Sequence, residues 1–469
     1  MIRGGVLRVA GYGAGLAATA LASVFLLRHL GVAGFGRFMT VVALLGILTA
    51  VVEGGLGIAG QRAYVRAGDD TGGRRALLGS LLGLRLVLVP PAVVLATAFA
   101  WLADYPRVLV VGTAVACSAV LFISLAGAML VPISAQLRFG AVTAVDLARN
   151  LAIAAGMLGL SVAGASLGAF FWIYPLAGAL AAVMAFALSH PADRVAPRFA
   201  LAAWLPLLRV ATPIAVGLVV NVLYVRFLVI ATSLLSTPTE TGLFAASFRV
   251  LEIFIGIPHL MVGAAFPILA HAGAADEERL AYALQRLAQV SLLVACALVL
   301  ALSIGAEPLM AVLGGAAFAD AAPVLQLQCF ALLGAFLTQV WVFGLIAVER
   351  QSALVVVNLL ALAVVVLTGA TLIPPHGAEG AAIAAIVGEA TLATVALVLL
   401  VRARPALRPD PGPLLRVVVA AAAGAAAGFA TGLPPVLATL LALAVNAAVA
   451  LAVRAVPADL LAALRHRPA

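Results

Sequence analysis

The chain has 469 residues, 65% of them hydrophobic and 10% charged, with a mean hydropathy of +1.22. Soluble domains run near 45–50% apolar and about 25% charged, so a soluble enzyme, a secreted disulfide scaffold and a disordered chain are excluded. The net charge of +9 rests on arginine alone, with no lysine; in a membrane protein such a balance reflects cytoplasmic loops, not nucleic-acid binding.

Abundant Ala, Leu and Val with few aromatics favour helices over a barrel of alternating ten-residue strands. Apolar stretches long enough to cross a bilayer fall at 6–27, 38–59, 76–101, 108–131, 141–162, 167–189, 210–235, 243–270, 287–306, 324–346, 353–373, 380–401, 414–431 and 436–455. The fold class expected is an all-α polytopic membrane protein of about fourteen transmembrane helices. The first stretch carries Arg3 and Arg8 in front and Ala20-Leu21-Ala22 within it, in the manner of a signal peptide. Its apolar run continues past that point, so it reads as an uncleaved first span.

Arginine placement orients the chain. With the N-terminus cytoplasmic, 20 of the 27 arginines fall in cytoplasmic segments, among them Arg62, Arg66, Arg74, Arg75, Arg465 and Arg467. Only Arg28, Arg37 and Arg107 fall outside, and Arg85, Arg149, Arg226 and Arg249 lie within spans. That asymmetry obeys the positive-inside rule and predicts both termini in the cytoplasm. The longest outer loop, near Glu307–Pro323, has room for a short helix only. A membrane-embedded glycosyltransferase or polymerase would need a larger one. The six histidines are scattered, Cys117, Cys296 and Cys329 sit in apolar runs, and no nucleotide loop is present, so neither catalysis nor a cofactor is expected.

A weak repeat runs through the chain. Gly36 of "GFGRF" and Gly242 of "TGLF" are 206 apart; Gly168 of "GASLGA" and Gly380 of "GAEGAA" are 212 apart. Two pairs at nearly one offset predict two parallel six-helix lobes, at 1–200 and 201–405, with the cargo site at their interface. A Pro-rich linker, "RARPALRPDPGP" (402–413), leads to two extra helices in a last segment, 406–469. Residues 276–289, "DEERLAYALQRLAQ", begin with acids and repeat Leu280, Leu284 and Leu287 at helical spacing. They read either as an interfacial helix or as an extension of the ninth span.

Charges inside spans are expensive and mark cavities or partners. Asp146/Arg149 and Arg249/Glu252 are i,i+3 pairs, each on one helical face. Arg85 and Arg226 lack a local partner and sit near mid-span. They are the leading candidates to meet an anionic pyrophosphate, whose oxygens suit the guanidinium fork. The alternative is an inter-helix pair with an acid such as Glu389 or Glu53. The candidate cavity cations are therefore Arg85, Arg226, Arg149 and Arg249. Burial opposes carboxylate ionisation, which makes Glu53, Asp146, Glu252 and Glu389 the candidate coupling or pairing acids. Pro90-Pro91, Pro213 and Pro258 are expected to kink their helices.

Several segments carry a family resemblance. "FLLRHLGVAGFGRF" (25–38), "VVEGGLG" (51–57), "TGLFAASFRVLE" (241–252), "PILA" (267–270), "EPLMAVLGGAAFADAAPVLQL" (307–327) and "LIPPHGAEGAAIA" (372–384) resemble, in order and spacing, bacterial polysaccharide and O-antigen flippases of the multidrug/oligosaccharidyl-lipid/polysaccharide exporter superfamily. The resemblance covers most of residues 6–401. It implies two six-helix lobes about a central cavity, alternating access, and no enzymatic activity. The implied cargo is an undecaprenyl-pyrophosphate-linked oligosaccharide, moved across the cytoplasmic membrane for cell-surface polysaccharide biosynthesis. The expected partners are that lipid-linked oligosaccharide, the bilayer and polysaccharide polymerase machinery. Members often carry an acid in the middle of the seventh helix where this chain has Arg226, a departure that puts any carry-over of ion coupling at this position in doubt. A cation-coupled multidrug-type antiporter of the same superfamily is the alternative, although residues 6–27 lack the acid such proteins typically place in the first helix. A peptidoglycan-precursor flippase shares the span count but usually carries more arginines in its first two helices.

Overall fold

In lipid every backbone N–H and C=O must be bonded within its own segment, so apolar runs fold as helices. The computed structural model describes residues 2–457, and among these no strand occurs. Arg465 and Arg467, placed above on the cytoplasmic side, lie outside the described residues. The chain divides into two compact units, Met1–Leu234 and Leu235–Ala469.

The first unit contains α1 (Ile2–Glu53), α2 (Leu56–Arg66), α3 (Thr71–Leu102), α4 (Arg107–Ala135), α5 (Phe139–Val162), α6 (Leu167–Phe170), α7 (Ile173–Leu188) and α8 (Leu201–Leu235, whose last residue falls in the next unit). The second contains α9 (Pro238–Ala275), α10 (Glu277–Ile304), α11 (Ala306–Gly314), α12 (Ala321–Gln328), α13 (Ala331–Ala347), α14 (Ala353–Ala403), α15 (Pro411–Ala430) and α16 (Pro435–Ala452).

The fourteen expected stretches appear, among the described residues, as 12 helices long and apolar enough to cross a membrane. The difference has a simple cause. The stretch 6–27 and most of 38–59 share α1, and 353–373 and 380–401 share α14, each pair joined without an intervening loop. A helix of about fifty residues rises about 75 Å, well over twice the ~30 Å hydrocarbon thickness. Each is broken once, at Gly31 (φ 65°) and Gly377 (φ 52°). The protein is thus a multi-pass helical membrane protein.

Both breaks are tied down by a side chain. In the first unit His29 Nε2 donates to the Ala165 carbonyl at 2.7 Å, holding α1 to the turn before α6. In the second, the backbone N–H of Ala378 donates to Glu240 Oε2 at 2.7 Å, so that a carboxylate from the start of α9 satisfies the helix restarting after Gly377. An N–H freed by a helix break in an apolar setting needs such an acceptor.

Small residues set the packing elsewhere. Gly112 of α4 lies directly under the Phe171 ring, and Phe171 stacks on Phe38 of α1 with centroids 6.1 Å apart. The helices α3 and α8 continue through Pro90-Pro91 and Pro213, and α9 through Pro258; the expected kinks do not interrupt them. Residues 277–304 form one helix capped by Asp276, whose carboxylate accepts from Arg279 N at 3.0 Å. Of the two readings of that segment, the extended ninth span is the one seen. The Pro-rich linker is pinned to it: Gln285 donates to Asp410 O and accepts from Asp410 N. Gln289 Nε2 donates to Ala455 O at 2.6 Å. Leu292 and Cys296 of α10, Val417 and Ala420 of α15, and Ala450 of α16 then form a shared core, so the last two helices are packed onto α10.

Candidate functional site

Three helices of the first unit meet at a buried charge. α1 ends at Glu53 because Gly54 and Gly55 follow, and Gly55 takes φ 70°, a left-handed conformation that only glycine adopts without strain. A side chain is also barred by space, since a Cβ on Gly55 would lie 2.5 Å from the Ala211 carbonyl of α8. The break leaves the Glu53 side chain at the end of its helix, facing α3 and α4.

There Glu53 Oε2 meets Arg85 Nη2 at 2.8 Å. Arg85 Nη1 donates to the Ser124 carbonyl at 2.8 Å, and Ser124 Oγ donates to Glu53 Oε1 at 2.6 Å. The three groups close a ring across α1, α3 and α4. Gly127 makes room for it: a Cβ there would sit 2.7 Å from Arg85 Nη1 and 3.0 Å from Glu53 Oε2. Arg85 is 1% exposed. Its guanidinium is engaged by protein on two sides, so the inter-helix pair with Glu53 is realised and Arg85 is not presented to an anionic cargo in this structure.

The remaining candidates separate in kind. Arg249 Nη1 and Glu252 Oε2 form the expected i,i+3 ion pair at 2.9 Å on α9. Asp146 and Arg149 on α5 share the same spacing, yet no ion pair joins them among the described residues, and Arg149 Nε is buried without a hydrogen bond. Arg226 on α8 is half-buried and lies over Gly46 of α1, where a Cβ would come within 3.5 Å of Arg226 Nε. Glu389 of α14 is set by the close approach of α13: a Cβ on Gly334 would lie 2.6 Å from the Glu389 carbonyl carbon.

Two polar partners had no signal in the sequence. Ser124 is 71 residues from Glu53, and Glu240 is 138 residues from Ala378; neither separation follows a helical period.

These elements define a class: a multi-pass helical membrane protein whose spans carry tied polar groups. The class has solved relatives in fold. A lipid II flippase, MurJ, in an inward closed conformation superposes with a TM-score of 0.77 at 11% identity, over 96% of this chain and 99% of that one. An inward-facing MATE-family multidrug resistance transporter of the MOP superfamily gives 0.64 at 13% identity, over 86% and 98%. The eukaryotic MATE transporter AtDTX14 gives 0.57 at 15% identity, over 86% and 96%. No curated protein matches the sequence significantly. A family model described as polysaccharide biosynthesis protein matches residues 3–272; the chain belongs to that family.

Proposed function

We propose that the protein is a transporter that moves an undecaprenyl-pyrophosphate-linked oligosaccharide from the cytoplasmic to the outer leaflet of the cytoplasmic membrane by alternating access. It would supply cell-surface polysaccharide biosynthesis, alongside a polymerase that consumes the flipped lipid. The observation that carries this reading is the family match over residues 3–272. The fold shared with a flippase of lipid II supports it. The chemistry supports it as well. Such a cargo brings a diphosphate into the membrane, and Arg226, Arg149 and Arg249, the last paired with Glu252, are half-buried cations within spans, where such a charge would be met. The antiporter alternative is less well served, since α1 carries no acid before Glu53 and Glu53 is engaged by Arg85.

Mass spectrometry of undecaprenyl-linked lipids in a strain lacking the protein, with a complemented control, tests the reading. One undecaprenyl-pyrophosphate oligosaccharide is expected to accumulate, which also identifies the saccharide. An unchanged lipid profile together with new sensitivity to toxic organic cations would overturn it in favour of the antiporter.

A further inference from the structure

The short helix α2 is fixed on one side and bare on the other. Its inner face, Leu56, Ala59, Gly60 and Tyr64, is buried. Gly60 is in close contact with Leu81 of α3 and Val131 of α4. Tyr64 donates to Asp193 Oδ1 at 3.1 Å, and the Arg74 guanidinium stacks over its ring at 4.8 Å. The Glu53–Arg85 ring and the Gly55 turn fix the direction in which α2 leaves α1. The helix is therefore a rigid support.

Its outer face bears Arg62 and Arg66, both exposed, one helical turn apart at about 6 Å along the axis. Neither enters a hydrogen bond, ion pair or ring contact among the described residues, so both guanidinium forks are unspent. With Ile58, Gln61 and Val65 they form one open patch along the face of α2. Two adjacent forks and an amide donor suit an anion with several oxygens spread over two centres, and the two apolar side chains suit the hydrocarbon next to it.

We propose that the outer face of α2 is a docking site for the diphosphate of a prenyl diphosphate, with Arg62 and Arg66 as the anion-binding residues and Ile58 and Val65 against the first isoprene units. This rests on the transport reading above. It places cargo capture on the cytoplasmic side, where the arginine distribution puts residues 60–75.

The test uses the full-length protein in phosphatidylcholine nanodiscs. Binding of geranyl pyrophosphate is measured calorimetrically, with geranyl monophosphate and inorganic pyrophosphate as competitors. The expected result is preference for geranyl pyrophosphate over both. Arg62→Ala/Arg66→Ala should weaken it at least tenfold, Arg62→Lys/Arg66→Lys should restore part of the loss, and Arg107→Ala, an exposed arginine elsewhere, should leave it unchanged. No binding by the wild type, equal loss in Arg107→Ala, or equal affinity for the monophosphate would each overturn the site. Adding phosphatidylglycerol to the nanodiscs separates a lipid-headgroup site from a cargo site: abolition of the preference overturns the proposal. The two readings fail separately. If deletion causes the lipid to accumulate but the double Ala variant complements fully, the site is wrong and the transport reading stands. If the lipid profile is unchanged while the variant series behaves as expected, the transport reading falls and the diphosphate site remains.

Discussion

Removing Glu53 should cost more than removing Arg85, and removing both should cost little. Arg85 is 1% exposed and has Glu53 Oε2 and the Ser124 carbonyl as its partners, each at 2.8 Å. In Glu53→Ala the guanidinium stays charged, because arginine does not deprotonate in proteins. Its Nε is already buried without a hydrogen bond, so only the Ser124 carbonyl would answer a full buried charge. An uncompensated buried partner of an ion pair costs about 3–5 kcal/mol. For a unit of this size that lowers the melting temperature by about 10 °C, at roughly 2–4 °C per kcal/mol. Arg85→Met leaves Glu53, whose side chain is 21% exposed and still accepts from Ser124 Oγ. Its cost should be nearer the ~1–3 kcal/mol of an under-satisfied polar group. The double variant Glu53→Leu/Arg85→Met replaces the pair by apolar groups of similar volume and should lie close to wild type. Thermal unfolding of the four proteins in one detergent, followed by intrinsic fluorescence, gives the double-mutant cycle directly. The reasoning is refuted if Glu53→Ala is no less stable than Arg85→Met, or if the double variant is as unstable as Glu53→Ala.

Two further expectations follow from backbone geometry. Gly55→Ala forces a side chain into φ 70° and against the Ala211 carbonyl, and should destabilise by about 1–3 kcal/mol from the backbone alone. Gly57→Ala, two residues on and with open space around its Cβ, should be neutral or mildly stabilising. Equal melting temperatures for the two variants would contradict the strain argument. Glu240→Ala removes the acceptor of the Ala378 N–H at the α14 break and should cost about 1–2 kcal/mol, as the loss of a helix cap does. Hydrogen exchange over 378–382 should accelerate while exchange in the middle of α10 does not; unchanged protection at Ala378 would mean that another group satisfies it.

Much of this protein was legible in its sequence because lipid leaves the backbone few choices. An apolar run of sufficient length becomes a helix wherever it sits, so the positions of the spans and their helical class followed from hydropathy. The i,i+3 spacing of Arg249 and Glu252 likewise sufficed, since one helix brings them together. The same spacing did not suffice for Asp146 and Arg149, which form no ion pair among the described residues. Local pattern also ran the second stretch through residues 38–59, whereas α1 stops at Glu53 and α2 starts afresh at Leu56 to reach Arg66. A window of hydropathy does not register a left-handed glycine.

Only the tertiary structure decided how Arg85 is paired. Arg85 and Arg226 were equivalent in the sequence, two lone arginines near mid-span. Packing α3 against α1 and α4 brings Arg85 onto Glu53, 32 residues away, and Gly127 leaves the space that lets the ring with Ser124 close. It also turns Tyr64 inward and leaves Arg62 and Arg66 outward on the same short helix. The physical reason is range. Helix formation is local and reads out residue by residue, whereas the pairing of a buried charge depends on contacts between helices that no local period encodes.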